Sequence, residues 1–323
     1  MWRAVGLSIL VSGALTVGAG VLVGDVHAVG AAVPSPAPTT TALLLAETPA
    51  PPAPEPAVVP VATPTPAPVH PSFAPLAQRI AAITAAAGGR VSVTLVELGG
   101  PAPSSLSVNG SARIDAASTY KLPALIDEAR LIAAGTNSGS GQLCYQDADW
   151  EDGWFTDYSP GDCYTRTELA QRAGHFSDNT AGHMLVRDLG GSSALNAFAT
   201  SLGARNSSFF EGNTTTSDDL ASLLVAEASG AVGGAAAQAW LYPLLTHTNY
   251  ESGIPAGIPS TARAVHKTGQ LDPVVSDAAI VSGGRNGTYV LTVLTSEPGG
   301  SDGWAEIAQV SAAVWQYEAA RQS

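Results

Sequence analysis

Between residues 74 and 98, the spacing of hydrophobic residues changes from a helical to an alternating pattern. Apolar residues recur at three- and four-residue intervals across 74–87, and a Gly-Gly pair then provides a stop signal for a helix. Apolar and polar residues alternate across 90–98, which indicates a strand. A Gly-Gly-Pro turn leads to a second short strand near 106–108. The segment therefore predicts one helix followed by two strands.

The remaining chain divides into a long helical region and a second group of strands. From 122 to about 245 the pattern is one of helices and loops, and a helical stretch closes the chain at 304–321. A tight-turn dipeptide, Asn286-Gly287, separates the last two strands of the second group. The strand-like runs of that group are 262–268, 278–282 and 288–295.

This order places strands on both sides of a helical insertion. It predicts an α+β fold, in which an antiparallel sheet of about five strands is flanked by N- and C-terminal helices and carries an inserted all-helical subdomain. A cleft is expected between the sheet and the helical block, where ligand sites commonly lie.

The N-terminal part of the chain differs in character from the rest. Residues 1–28 combine a short positive start, an apolar run and small residues at the spacing that signal peptidases accept. They predict a signal peptide, with a retained membrane anchor as the alternative, and in either case an exported protein, extracellular or associated with the cell envelope. Residues 29–73 are rich in Pro, Ala and Thr and predict an extended linker. The folded domain is expected at 74–323.

Charge and cysteine content narrow the function classes. The formal net charge is −13 with only 14 Lys and Arg, which argues against a nucleic-acid partner. The histidines are scattered without ligand spacing, so we expect no metal and no cofactor. In an exported chain, the two cysteines, Cys144 and Cys163, are expected to form one disulfide. We expect a monomer.

Three short motifs carry the candidate chemistry. They are Ser118-Thr119-Tyr120-Lys121, Ser177-Asp178-Asn179 and Lys267-Thr268-Gly269. Ser118 precedes a predicted helix, where free backbone N–H groups favour developing negative charge. Lys121 follows one turn later on the same face. A lysine can activate a serine when burial or a second cation lowers its pKa, and Lys267 could supply that cation.

In this order the three motifs resemble the signature of class A β-lactamases and related penicillin-binding proteins. The resemblance spans roughly 74–318 and includes the runs 179–181, 202–204 and 214–217. It implies a β-lactamase/transpeptidase-like fold and a serine hydrolase whose small-molecule partner is a β-lactam or a peptidoglycan peptide.

The resemblance also implies roles for individual residues. Ser118 is the expected nucleophile, and Lys121 is its base or proton relay. Ser177 would pass a proton to the leaving nitrogen, while Asn179 holds the substrate amide. Lys267 is expected to act with them in catalysis.

The third motif supplies the rest of the implied substrate site. Thr268 would bind a substrate carboxylate together with Lys267, and Gly269 would leave room for the substrate along an edge strand. The oxyanion hole is expected to use the backbone N–H groups of Ser118 and Gln270. Many family members have a smaller residue where Gln270 stands here.

The segment from 203 to 214 departs from the family pattern. Class A β-lactamases carry a Glu-x-x-Leu-Asn motif in an Ω-type loop, and its glutamate activates the water that hydrolyses the acyl-enzyme. Here the loop is shortened and its single acid is Glu211, with Asn213 two positions later rather than four. The spacing favours a surface acid over a deacylation acid/base at Glu211. Acylation is therefore expected to survive, while the rate of deacylation stays open.

Three functions remain open on this basis. The first is a β-lactamase, the second a D,D-peptidase or penicillin-binding protein acting on peptidoglycan stem peptides, and the third a non-catalytic wall-binding module on the same fold. The intact motifs argue against the third, because loss of function would more often remove Lys121 or Ser177.

The stretch between the two cysteines is acidic and aromatic. It could form one lip of the cleft, with Trp154 and its aromatic neighbours as a platform for a substrate side chain. A calcium loop is disfavoured, because Asp152 stands where such a turn needs glycine. A disulfide-closed surface loop is the favoured interpretation.

Overall fold

The computed structural model describes residues 69–321. The signal peptide or anchor at 1–28 and nearly all of the linker at 29–73 lie outside the described residues. The helices are α1 Ala74–Ala87, α2 Lys121–Ala133, α3 Arg166–His175, α4 Asn179–Asp188, α5 Gly191–Ser201, α6 Ser217–Ala228, α7 Gly234–Leu241 and α8 Gly300–Ala320. The strands are β1 Arg90–Glu97, β2 Ser105–Val108, β3 Ile114–Asp115, β4 Gln142–Cys144, β5 Cys163–Thr165, β6 Thr214–Thr215, β7 Arg263–Leu271, β8 Val274–Gly284 and β9 Gly287–Glu297.

The main sheet has five strands in the order β2-β1-β9-β8-β7, and every neighbouring pair is antiparallel. Strand β1 lies against β9, with Thr94 opposite Thr292, so both ends of the folded domain meet at the centre of the sheet. The α+β prediction is confirmed. Strand β8 is longer than its predicted run, because Val274–Val281 is buried on both faces and shows no alternation.

Helices α1 and α8 cover one face of the sheet. Leu76 and Ile80 of α1 pack with Ile307 and Val310 of α8 in one buried cluster that includes the sheet residues beneath them. Burial of each such side chain contributes about 1.5–3 kcal/mol to folding. Helix α8 begins at Gly300 rather than at the predicted 304, because its first turn is polar and glycine-rich and adds nothing to the apolar period.

The helical region from α2 to α7 covers the opposite face. In α2 even the polar positions near the start are buried, and Leu122, Leu125 and Ile126 are fully enclosed. A helix surrounded on all sides belongs to the centre of its domain. The predicted insertion is therefore present. It contains the short antiparallel ladder β4–β5, and a second ladder, β3–β6, joins it to the segment before α2.

Cys144 and Cys163 form a disulfide, as predicted. They lie opposite each other where β4 pairs with β5, so the bond closes a loop at its base. Within 69–321, none of the helices is both long and apolar enough to cross a bilayer.

Candidate active site

Ser118 lies in a 3-10 turn, Ala117–Tyr120, that runs directly into α2. The serine is half-buried, while Thr119 beside it is fully buried and donates its side-chain hydroxyl to the carbonyl of Ala116 at 2.6 Å. Ala117 has φ +46°, a left-handed conformation that side chains other than glycine rarely adopt. The turn is thus held by specific contacts in a backbone shape that presents Ser118 at a helix start.

Lys121 connects the three motifs. Its Nζ donates to Ser118 Oγ at 2.8 Å, to the carbonyl oxygen of Ser177 at 3.0 Å and to Asn179 Oδ1 at 2.7 Å. The side chain is fully buried. Burial lowers the pKa of Lys121 to about 7, against the opposing charges of Glu151 and Asp178. A substantial fraction of this amine is therefore neutral near pH 7 and can accept a proton from Ser118.

The second motif joins α3 to α4. Ser177 adopts φ +62°, and Asp178 follows as the N-cap of α4, where it accepts from the backbone N–H of Ala181 at 2.9 Å. Asp178 also accepts from the N–H of Phe155 at 2.9 Å and from the hydroxyl of Tyr158 at 2.6 Å. The aspartate is fully buried, so it holds the loop between the cysteines against the start of α4.

Lys267 reaches the site from β7. Its Nζ donates to Ser177 Oγ at 2.8 Å and to the carbonyl oxygen of Thr268 at 2.9 Å. Burial, reinforced by the nearby charge of Lys121, lowers the pKa of Lys267 well below its usual range. A substrate carboxylate arriving here would favour the charged form and so would be attracted to this position.

Strand β7 approaches the Ser118 turn so closely that a side chain would not fit at Gly269. A Cβ there would lie 2.8 Å from the carbonyl oxygen of Ala116 and 3.1 Å from Thr119 Cγ2. Strand β7 continues to Leu271 rather than ending at the predicted 268, which places Gln270 within the strand. Glycine is therefore required by packing, since it lets the edge strand lie beside the serine.

Each of the three motifs contributes residues to the lining of one cleft of about 520 Å³ between the sheet and the helical region. Aromatic side chains form part of its wall. Trp154 is 53% exposed, and its ring centroid lies 5.8 Å from that of Phe176 and 6.4 Å from that of Tyr250. The cleft-lining residues from the predicted site are Ser118, Ser177, Asn179, Thr268 and Gln270.

Phe176 and Tyr250 were not identified from the sequence, although Trp154 was considered as an aromatic platform. Phe176 directly precedes Ser177, which is a positional signal. Tyr250 lies in an irregular loop far along the chain and carries no such signal.

Glu211 is not brought together with the other predicted site residues. It lies exposed in the loop before β6, and its backbone oxygen accepts a hydrogen bond from Ser208 Oγ at 2.8 Å. Among residues 69–321, no hydrogen bond or ion pair involves its carboxylate. The neighbouring Phe210 packs instead against Tyr120 and His183, with ring centroids 5.5 and 4.8 Å apart.

A different carboxylate approaches the site. Glu151, in the disulfide-closed loop, lies with Oε1 3.4 Å from Asn179 Nδ2 and with Oε2 2.5 Å from His183 Nε2. No local motif marks Glu151, because its contact with Asn179 joins positions 28 residues apart.

Residues 75–318 match the beta-lactamase enzyme family. Among solved structures, PBP-A is 26% identical with a TM-score of 0.72, covering 78% of this chain and 98% of its own. A beta-lactamase from Sphaerobacter thermophilus is 28% identical with a TM-score of 0.68, covering 76% and 98%. A mutant of PBP-A, solved as an acyl-enzyme complex with penicillin G, is 27% identical with a TM-score of 0.71, covering 77% and 98%. No curated protein matches this chain.

Proposed function

The chain belongs to the beta-lactamase enzyme family and is a serine hydrolase, and on this premise we propose that β-lactams acylate it on Ser118. The observation that carries the proposal is the 2.8 Å hydrogen bond between Lys121 Nζ and Ser118 Oγ, made by a buried amine. The PBP-A mutant solved as an acyl-enzyme with penicillin G supports β-lactams as the substrate class.

Acylation proceeds by transfer of the Ser118 hydroxyl proton to neutral Lys121 while Oγ attacks the lactam carbonyl carbon. Backbone N–H groups of Ser118 and Gln270 stabilise the oxyanion, a contribution of about 3 to 4 kcal/mol for each such donor. When the ring C–N bond breaks, Ser177 gives its proton to the nitrogen. Lys267, 2.8 Å from Ser177 Oγ, orients that hydroxyl, and the proton that Lys121 took from Ser118 replaces the one that Ser177 gave, so Lys121 is neutral again.

Substrate groups would be held by the walls of the cleft. A carboxylate fits beside Lys267 and Thr268, while an acyl-chain amide fits beside Asn179, whose Nδ2 donates to the carbonyl oxygen of Asp152 at 2.7 Å. Trp154 offers an exposed ring for an apolar substituent. The same positions suit a peptide that ends in a free carboxylate, so a peptidoglycan stem peptide is the second candidate substrate.

The position of Glu211 is the observation that favours this second candidate, because a carboxylate outside the cleft would not activate the water that releases the acyl group. Glu211 lies away from the cleft, and Phe210 packs against Tyr120. A penicillin-binding protein would retain the drug as a long-lived ester, whereas a β-lactamase would hydrolyse it.

We also propose that the protein is exported. The apolar run near the N-terminus supports export, and N-terminal sequencing of the natively produced protein tests it.

The test is to incubate the purified protein with a reporter cephalosporin and with penicillin G, and to follow both turnover and intact mass. We expect a covalent adduct on the parent and none on Ser118→Ala. Rapid turnover identifies a β-lactamase, and a persistent adduct identifies a penicillin-binding protein. If neither turnover nor adduct appears, the proposal is wrong.

A further inference from the structure

We propose that Glu151, on the disulfide-closed loop, is the general base that activates water to hydrolyse the acyl-Ser118 ester. This inference rests on the proposed function, since it concerns the second half of the same reaction. It assigns to this loop the task that the family gives to the glutamate of its Ω-type loop.

The backbone of Glu151 is fixed against the start of α4. Its N–H donates to Thr180 Oγ1 at 3.1 Å, and the same hydroxyl donates to the carbonyl oxygen of Glu151 at 2.9 Å. Thr180 is fully buried beside Asn179. Two hydrogen bonds to one buried hydroxyl therefore set the position of Glu151 relative to the second motif.

Its carboxylate lies one side chain away from Lys121. Oε1 is 3.4 Å from Asn179 Nδ2, while the other atom of that amide, Oδ1, accepts from Lys121 Nζ at 2.7 Å. Lys121 in turn contacts Ser118 Oγ. Asn179 thus connects the acid to the amine and to the nucleophile.

His183 holds the second carboxylate oxygen. It lies four residues after Asn179 on α4, on the same helical face, and its Nε2 is 2.5 Å from Glu151 Oε2. Burial lowers the pKa of His183, with the charge of Glu151 opposing and that of Lys121 adding to the effect. Near pH 7 the His183 imidazole is therefore uncharged and can still donate its N–H to Glu151. Because no proton is transferred in that hydrogen bond, the Glu151 carboxylate stays available as a base. The Glu151 side chain is 50% exposed, so water reaches it.

The other nearby carboxylates are less suited to this task. Asp178 is fully buried and accepts hydrogen bonds from Phe155, Tyr158 and Ala181. Asp272 lines the cleft, but in the described part of the chain it makes no hydrogen bond to any of the three motifs. Glu211 is exposed in the loop before β6, and within 69–321 its carboxylate makes no hydrogen bond to any of the three motifs, whereas that of Glu151 contacts Asn179.

The step balances without a further reactant. A water molecule gives a proton to Glu151 as its oxygen attacks the ester carbonyl carbon, and a tetrahedral intermediate forms. Collapse breaks the bond between that carbon and Ser118 Oγ. The proton taken by Glu151 ends on Oγ by way of Lys121, so the products are a free carboxylic acid and the original serine.

The experiment compares the full chain with Glu151→Gln, using penicillin G and a reporter cephalosporin. Acylation is measured by rapid-mixing kinetics, and adduct lifetime by intact mass after removal of free drug. We expect the adduct lifetime to increase by about 100-fold or more, while the acylation rate constant changes by less than about threefold. Asp147→Asn is the matched control, since it removes an exposed carboxylate from the same loop. That control should leave the lifetime unchanged.

Each outcome decides the question. Equal adduct lifetimes in the parent and Glu151→Gln overturn the inference while leaving acylation of Ser118 intact. A parallel loss of both rate constants also overturns it, because Glu151 would then only position Asn179 and Lys121. If the adduct lifetime increases in Glu211→Gln but not in Glu151→Gln, the general base is Glu211 in the shortened loop. Absence of any adduct on the parent defeats the proposed function itself, and this inference with it.

Discussion

Lys267 Nζ donates a hydrogen bond to Ser177 Oγ over 2.8 Å, and this contact joins the edge strand of the sheet to the start of α4. The two residues are 90 positions apart in the chain and belong to opposite walls of the cleft. The hydroxyl that would protonate the leaving nitrogen in the proposed mechanism is therefore oriented by a group from the other half of the domain.

Replacing Ser177 tests that relationship. Ser177→Ala should lower the acylation rate constant by about 10²- to 10⁴-fold, because the leaving nitrogen loses its proton donor. Rapid-mixing kinetics with a reporter cephalosporin gives the rate. Ser177→Gly is the matched variant, since glycine tolerates the φ of +62° at this position better than alanine does. If both variants lose the acylation rate constant equally, the effect belongs to the missing hydroxyl. If Ser177→Gly keeps a rate close to that of the parent, the loss in Ser177→Ala is due to backbone strain.

The pH dependence of acylation follows from Lys121. Burial lowers the pKa of this amine to about 7, and only its neutral form can accept the Ser118 proton. The acylation rate constant should therefore rise with pH through a midpoint near 7 and then level off. Lys121→Arg should abolish this rise with pH and most of the acylation rate, because a guanidinium stays protonated. An acidic limb centred at about 4 to 5 would instead identify a carboxylate as the base.

Gly269 is predicted to be irreplaceable even by alanine. A Cβ at this position would lie 2.8 Å from a backbone oxygen of Ala116, so either β7 or the serine turn must shift. We expect a loss of about 1–3 kcal/mol in the free energy of unfolding, together with slower acylation. Urea unfolding measures the first effect. Leu271→Ala, on the same strand and 55% exposed, should change stability by less than about 0.5 kcal/mol.

A buried histidine makes stability depend on pH. His266 Nδ1 lies 2.9 Å from Asp277 Oδ1, and Nε2 lies 3.1 Å from Glu251 Oε1. Burial acts to lower the pKa of His266, but these two carboxylates outweigh it and raise the pKa to about 9 from an ordinary 6.5. The folded state thus binds the proton more tightly than the unfolded state does. The stabilisation is complete below the unfolded pKa and is lost as pH rises through the folded value.

His266→Asn should therefore cost about 2 to 3 kcal/mol near pH 6, and the difference from the parent should shrink near pH 10. Urea unfolding at both pH values measures the change. A constant difference across this range would show that packing rather than charge is lost.

The sequence carried enough information for the sheet, the helical insertion and the three motifs. The period of two in β1 and the period of 3.6 in α1 are strong local signals. The motifs named Ser118, Lys121 and Ser177 as site residues, and the structure brings these three into contact. The ladders β3–β6 and β4–β5 were missed because two or three residues are too few to show a period.

Contacts between distant residues account for the rest of what the sequence did not reveal. The approach of Glu151 to Asn179 depends on how the disulfide-closed loop folds over α4, and no spacing rule encodes it. Phe210 lies beside Glu211 in the sequence but packs against Tyr120, so the aromatic rather than the acid faces inward.

The pairing of β1 with β9 has a consequence for how the protein reaches its active form. Thr94 and Thr292 are hydrogen-bonded across 198 positions, so the centre of the sheet cannot close until almost the whole domain is available. The helical region lies between these strands in the chain and is built from local contacts, which form faster than distant ones. Lys267 arrives only with the late strands. During refolding, helical content should therefore return before the ability to form an acyl adduct, and activity should be the last property that the chain acquires.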